Sequence, residues 1–196
     1  MIQLIEEFVA HVKEASKKPD FIHHKWFIKY HLEIVEKIAL ELCDIYNDAD
    51  RDLVRILVWL HDYGKILDFD NQYEMTLSKG REKLEEMGFD KVTVDKAIQC
   101  MEVIDRKEKL ELERSSIEIK IISSADAASH HTGPFFALWW YENADKGFEH
   151  LMQDNVDKTN KDWDRKMVLP EVRRAFAGRH RMILELNGYM PEKFLS

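Results

Sequence analysis

RDLVRILVWLHDYGKI, residues 51–66, places Leu53, Ile56, Leu57 and Leu60 three or four positions apart, the repeat of one buried helical face. The preceding NDAD, Asn47 to Asp50, supplies capping side chains for its start, and Gly64 is predicted to stop it. His61 and Asp62 stand side by side just past the apolar face. Adjacent helical residues point about 100° apart, so both can reach one point only where a helix end opens onto a cavity.

Working outward, the same periodicity recurs along nearly the whole chain, with no strict alternation of the kind that marks half-buried strands. The spacing predicts helices over about Ile2 to Lys17, Lys25 to Tyr46, Tyr73 to Met87, Val92 to Ile104, Ser116 to His131 and Pro170 to Leu186, with one or two more in the tryptophan-containing stretch between. The charge run DRKEKLELER, Asp105 to Arg114, reads as a solvated helix end or loop. Glycine (7) and proline (4) are scarce in 196 residues, which favours long helices over turn-rich sheets. No repeat, low-complexity tract or linker interrupts the chain, so the expectation is an all-α, single-domain helical bundle over 1–196.

A formal net charge of −8 argues against a surface that neutralises a nucleic-acid backbone or lies on an anionic membrane. A phosphate-bearing ligand must then be drawn in locally, by a metal or a few basic side chains. Cys43 and Cys100 fall within apolar helical patterns and read as reduced core thiols. No uncharged apolar run approaches the ~18 residues of a membrane span, and the charged N-terminus lacks a signal peptide's apolar segment, so the expected location is cytoplasmic.

Two polar residues lie where only apolar ones are expected. Ile34, Val35 and Ile38 follow His31 by three, four and seven residues, which turns its imidazole towards the core. Ile119 and Ile122 precede Asp126 by seven and four, which does the same for its carboxylate. A buried carboxylate without a charged partner is costly, and a cation is the simplest relief. Two imidazoles and two carboxylates make a mixed set that accepts Mn, Fe, Co, Ni, Zn or Mg.

The order His31, His61-Asp62, Asp126 resembles the signature of the HD-domain superfamily of metal-dependent phosphohydrolases. LVWLHDYGKI (Leu57 to Ile66) is similar to that family's hydrophobic-HD-x-G-K pattern, and SSADAASHH (Ser123 to His131) to its small-residue stretch around the last aspartate. The motif spans Lys25 to about His131, and helices 132–196 would complete the domain. The resemblance implies an HD-type helical core, one divalent metal ion held by His31, His61, Asp62 and Asp126, and hydrolysis of a small phosphorylated substrate, often a nucleotide. Such an ion lowers the pKa of a bound water and polarises phosphoryl oxygens. Lys65, three residues after Asp62, can then meet the developing negative charge.

No histidine occurs between Asp62 and Asp126. Two-metal members of the family take extra histidines from that interval, so a mononuclear site is expected; Cys100 or Glu102 are the side chains that could substitute. His130, four residues after Asp126, shares its face and is a candidate for proton transfer to a leaving oxygen or for a phosphate contact. His23, His24 and His131 are further pocket candidates. The aromatics Phe135, Phe136, Trp139, Trp140 and Tyr141 read as core or interface, or as a stacking surface for a base. Arg173, Arg174, Arg179, His180 and Arg181 read as a solvated basic face.

The expected function is hydrolysis of a phosphomonoester, with a nucleoside phosphate first. Phosphodiester, cyclic-nucleotide and pyrophosphate hydrolysis are the alternatives, and a non-catalytic nucleotide-binding module is the rival of another class. A nucleic acid or membrane partner is not expected.

Overall fold

The computed structural model describes residues 1–106, 108–188, 192, 193 and 195. Among them the regular structure is helical throughout, with no strand. The helices are α1 (Ile2–Ala15), α2 (Glu33–Ile45), α3 (Arg51–Leu60), α4 (Tyr63–Leu67), α5 (Gln72–Glu86), α6 (Lys91–Arg106), α7 (Lys109–Arg114), α8 (Ile117–His130), α9 (Phe135–Glu142), α10 (Phe148–Lys161) and α11 (Pro170–Leu186), with π-helical turns at Ile28–Leu32 and Asp162–Lys166. None is long and apolar enough to cross a membrane.

Helix α3 forms as the sequence predicts. Asp50 caps it, its carboxylate accepting the Leu53 N–H at 3.0 Å, and Leu53, Ile56, Leu57 and Leu60 are buried with Val54, Val58 and Trp59. Helix α8 lies at the centre. It packs against α2, α3, α6, α7, α9 and α11, and every residue from Ile121 to His130 is buried. A helix buried all round needs small side chains where neighbours press close, and Ser123, Ser124, Ala125, Ala127, Ala128 and Ser129 supply them.

Three local expectations change. The helix expected from Lys25 begins with short turns and the π-turn, and becomes regular only at Glu33. Gly64 does not end a helix; α3 stops at Leu60, and Gly64 lies inside α4 because it packs directly on α5. A Cβ there would meet the Gln72 carbonyl oxygen at 1.9 Å and the Thr76 nitrogen at 2.6 Å. Within the Asp105 to Arg114 run, α7 buries Leu112 completely while its charged residues face outward; Lys107 lies outside the described residues.

Candidate metal centre and active site

Three backbone features deliver the four motif side chains to one place. His31 sits in the first π-turn, where the Glu33 N–H reaches back to the Ile28 carbonyl. His61 and Asp62 occupy the turn between α3 and α4, so the 100° separation of two helical neighbours does not apply and both point into the same space. Asp126 projects from the buried helix α8.

The geometry is compact. His31 Nε2 is 3.1 Å from Asp62 Oδ2 and 3.7 Å from Asp126 Oδ1, and His61 Nε2 is 3.6 Å and 3.8 Å from the same two oxygens. All four residues are buried. Ligand atoms about 2.1 Å from a shared ion stand roughly 3–4 Å from one another, so these four spacings fit a divalent cation, with His31 common to two triads that could hold one, His31–His61–Asp62 and His31–Asp126–His130. The nitrogen left over points the same way: His61 donates through Nδ1 to the Val58 carbonyl at 2.7 Å, while its Nε2 is buried with no hydrogen-bond partner. A buried imidazole nitrogen with nothing to bond is costly unless an acceptor of its lone pair belongs there.

A second layer orients the first. The Ser129 hydroxyl donates to the Asp126 carbonyl at 2.7 Å and stands 3.0 Å from His31 Nδ1, so we assign the Nδ1–H tautomer to His31. His130 lies parallel to His31, ring centres 5.2 Å apart, with Nε2 3.4 Å from Asp126 Oδ1. Its Nδ1 is 2.8 Å from Asp162 Oδ2. Lys158 Nζ is 3.0 Å from the same nitrogen but donates to both Asp162 oxygens, so we assign the His130 proton to Nδ1, which turns the Nε2 lone pair to the site. Burial, helped by the charge of Lys158, pushes His130 down to about 3 and keeps it neutral.

Two lysines neutralise the carboxylates. Lys65 Nζ is 2.7 Å from Asp62 Oδ2, and Lys166, from the second π-turn, contacts Asp126 Oδ2. Burial opposes ionisation of both aspartates. Lys65 and His61 nevertheless hold Asp62 well below the usual carboxylate range, and Lys166 and His130 do the same for Asp126.

The cluster forms the floor of a cavity of about 590 Å³. Trp26, Phe27, Phe69, Phe135, Phe136 and Trp139 give it an aromatic wall, and Lys65, Lys146, Lys158, Lys161 and Lys166 line it together with Asp105, Asp154 and Asp157. Phe135 packs on His130, ring centres 4.2 Å apart, and Phe27 on His31 at 5.4 Å.

Of the weaker sequence candidates, His23 lines the cavity, tied to Glu142 at 2.7 Å. His24 and His131 do not line it: His24 bonds the Phe21 carbonyl, and His131 bonds the Ala127 carbonyl and stacks on His180. Cys100 is buried in the core on α6 and Glu102 is exposed, and neither lines the cavity. Arg173 is not part of a free basic face, since it lies over Trp163 and donates to the Trp163 carbonyl at 2.5 Å.

Sequence reasoning did not single out Ser129, Lys158, Asp162 or Lys166. Ser129 is one of several small residues in SSADAASHH, with nothing in the string to set it apart. Asp162 and Lys166 are four residues apart, a spacing that reads as an exposed helical ion pair, and only the buried π-turn gives them another meaning.

No curated protein and no solved structure matches the chain. One comparison does succeed: the HD domain family model matches residues 28–165, from the π-turn that carries His31 through all the helices that build the site to the second π-turn. With the histidine and aspartate side chains of that family's motif gathered on the cavity floor, the chain belongs to the HD-domain superfamily of metal-dependent phosphohydrolases.

Proposed function

We propose that this protein is a metal-dependent phosphomonoesterase acting on a small phosphorylated metabolite, a nucleoside phosphate before others. The observation that carries the reading is the convergence of His31, His61, Asp62 and Asp126 around one point, with the orphaned His61 Nε2 turned to it. These four residues would hold one divalent ion. When bound, such an ion supplies a nucleophile from water at neutral pH and polarises the phosphoryl oxygens.

The chain's own groups do the rest. Lys65, at the cavity surface beside Asp62, meets negative charge that develops on the phosphoryl group. His130 enters the reaction neutral, with its Nε2 lone pair facing the site. That nitrogen can accept a hydrogen bond from the attacking water and orient it, while Asp162 holds the ring. The aromatic wall offers faces on which a base can stack, which supports the nucleoside assignment.

The test is an activity screen with each divalent metal over nucleoside mono-, di- and triphosphates, sugar phosphates and cyclic nucleotides, with Asp62→Ala as the blank. Phosphate release from monoesters that the blank lacks supports the assignment. Equal release by both proteins removes it, and a metal-loaded protein silent on every compound points instead to a binding module.

A further inference from the structure

Lys166 is placed unlike any charge the sequence motif supplies. It reaches the site from the second π-turn and contacts Oδ2 of Asp126, while Oδ1 of the same carboxylate faces His31, His61 and His130. The backbone beneath it is pinned. Ser123 donates its hydroxyl to the Lys166 carbonyl at 3.0 Å, Ser124 Oγ accepts the Val168 and Leu169 N–H groups at 3.1 and 3.2 Å, and the Met167 N–H bonds Asp162 O at 3.0 Å.

The ammonium is therefore held in place, not sampled from solvent. Its side chain is 6% exposed, against 27% for Lys65, and it lines the cavity beside the metal-ligand cluster. An ammonium has three donors; Asp126 occupies one, and the nearest oxygen of Asp162 is 3.8 Å away, beyond a hydrogen bond. Donor capacity is left over at a buried position open to the cavity.

We propose that Lys166 is the fixed second cation of the site, donating to a non-bridging oxygen of the bound phosphoryl group while the histidine–aspartate set holds the metal. Sites with two cations grip a phosphoryl group from both and stabilise its charge. Here a preorganised ammonium takes the second place, without reorganisation when charge develops. The proposal rests on the reading of the cavity as a metal-assisted phosphate site, though not on turnover.

The test is calorimetry with inorganic phosphate on the manganese-loaded protein, native against Lys166→Met and Lys166→Arg. Lys166→Met is expected to lose at least about tenfold in phosphate affinity, with manganese affinity unchanged or tighter because Asp126 Oδ2 is released. Lys166→Arg keeps phosphate binding within a few-fold. Phosphate affinity unchanged in Lys166→Met, loss of manganese instead, or no phosphate binding by the native protein each overturns the proposal. Should Lys166→Met not fold, the ammonium resonance of Lys166 in the native protein, assigned by its absence from Lys166→Arg, must move as phosphate is added; a stationary resonance overturns it. A protein that binds phosphate through Lys166 and hydrolyses nothing fails as a hydrolase and retains this assignment.

Discussion

His31 Nδ1 lies 3.0 Å from the hydroxyl of Ser129, 98 residues further along the chain, and that hydroxyl donates to the carbonyl of Asp126 at 2.7 Å. One serine thus couples the ring of one motif residue to the backbone of another, fixing the histidine tautomer. Ser129→Ala is expected to weaken metal binding about 10–100-fold with the fold retained, because partners behind a ligand set its orientation and basicity. Competition with a metal-sensitive dye reads it; unchanged affinity removes the positioning role.

Gly64 lies against α5 so closely that a methyl group would sit on backbone atoms, which cannot rotate away as a side-chain tip can. Its N–H also donates to Thr76 Oγ1 at 3.0 Å. Gly64→Ala is expected to destabilise the protein by about 1–3 kcal/mol or more. Thermal unfolding should show a fall in Tm of roughly 2–4 °C for each kcal/mol. An unshifted Tm means that α4 and α5 are not packed as described.

Asp162 is fully buried beneath His130 and Lys158. Burial opposes its ionisation, yet the Lys158 and Lys166 ammoniums and the hydrogen bond from His130 hold it far below the usual carboxylate range. Because the folded pKa lies below the unfolded one, its stabilisation is complete above about pH 4 and fades as pH falls towards the folded value. Asp162→Asn is expected to cost about 3–5 kcal/mol at pH 7, since it leaves buried positive charge uncompensated. Denaturant titrations at pH 7 and pH 3 should show the gap between native and variant narrowing in acid; a gap that is constant or widens contradicts the network.

Chelation provides a different kind of test. Lys65 and Lys166 already pair with Asp62 and Asp126, so removing a metal does not strand two bare carboxylates. Chelated protein is expected to keep its helical circular dichroism and lose only the linkage contribution, about 2.7 kcal/mol for an ion present at 100 times its Kd. Loss of helix on chelation would falsify that neutralising role.

Much of this fold is legible in the amino-acid sequence. The Leu53, Ile56, Leu57, Leu60 stripe is long and regular enough to fix α3, and it set His61 and Asp62 at a pocket wall. His31 and Asp126 stood out because an ionisable group on an apolar face needs a reason. What stayed hidden depends on neighbours in space. Gly64 looked like a helix stop because a glycine's letter does not say whether it is there for its dihedral angles or for lack of a side chain. Leu112 is one apolar residue among charges, too few to show a period. Lys166 and Asp162 were invisible because their spacing is the commonest pattern of a solvated ion pair.

Each π-turn adds a residue at one end of an α-helix, the first leading into α2 and the second ending α10, and each presents site residues: His31 in the first, Asp162 and Lys166 in the second. That extra residue sets the angle at which these side chains leave the helix axis. Excising a single amino acid from 162–166 would let the segment relax to ordinary α-helical winding and swing its charged groups around the axis, away from the cavity, while the apolar faces on either side could still find the core. A deletion of one residue, usually dismissed as damage, would here re-aim a cation without rebuilding the bundle.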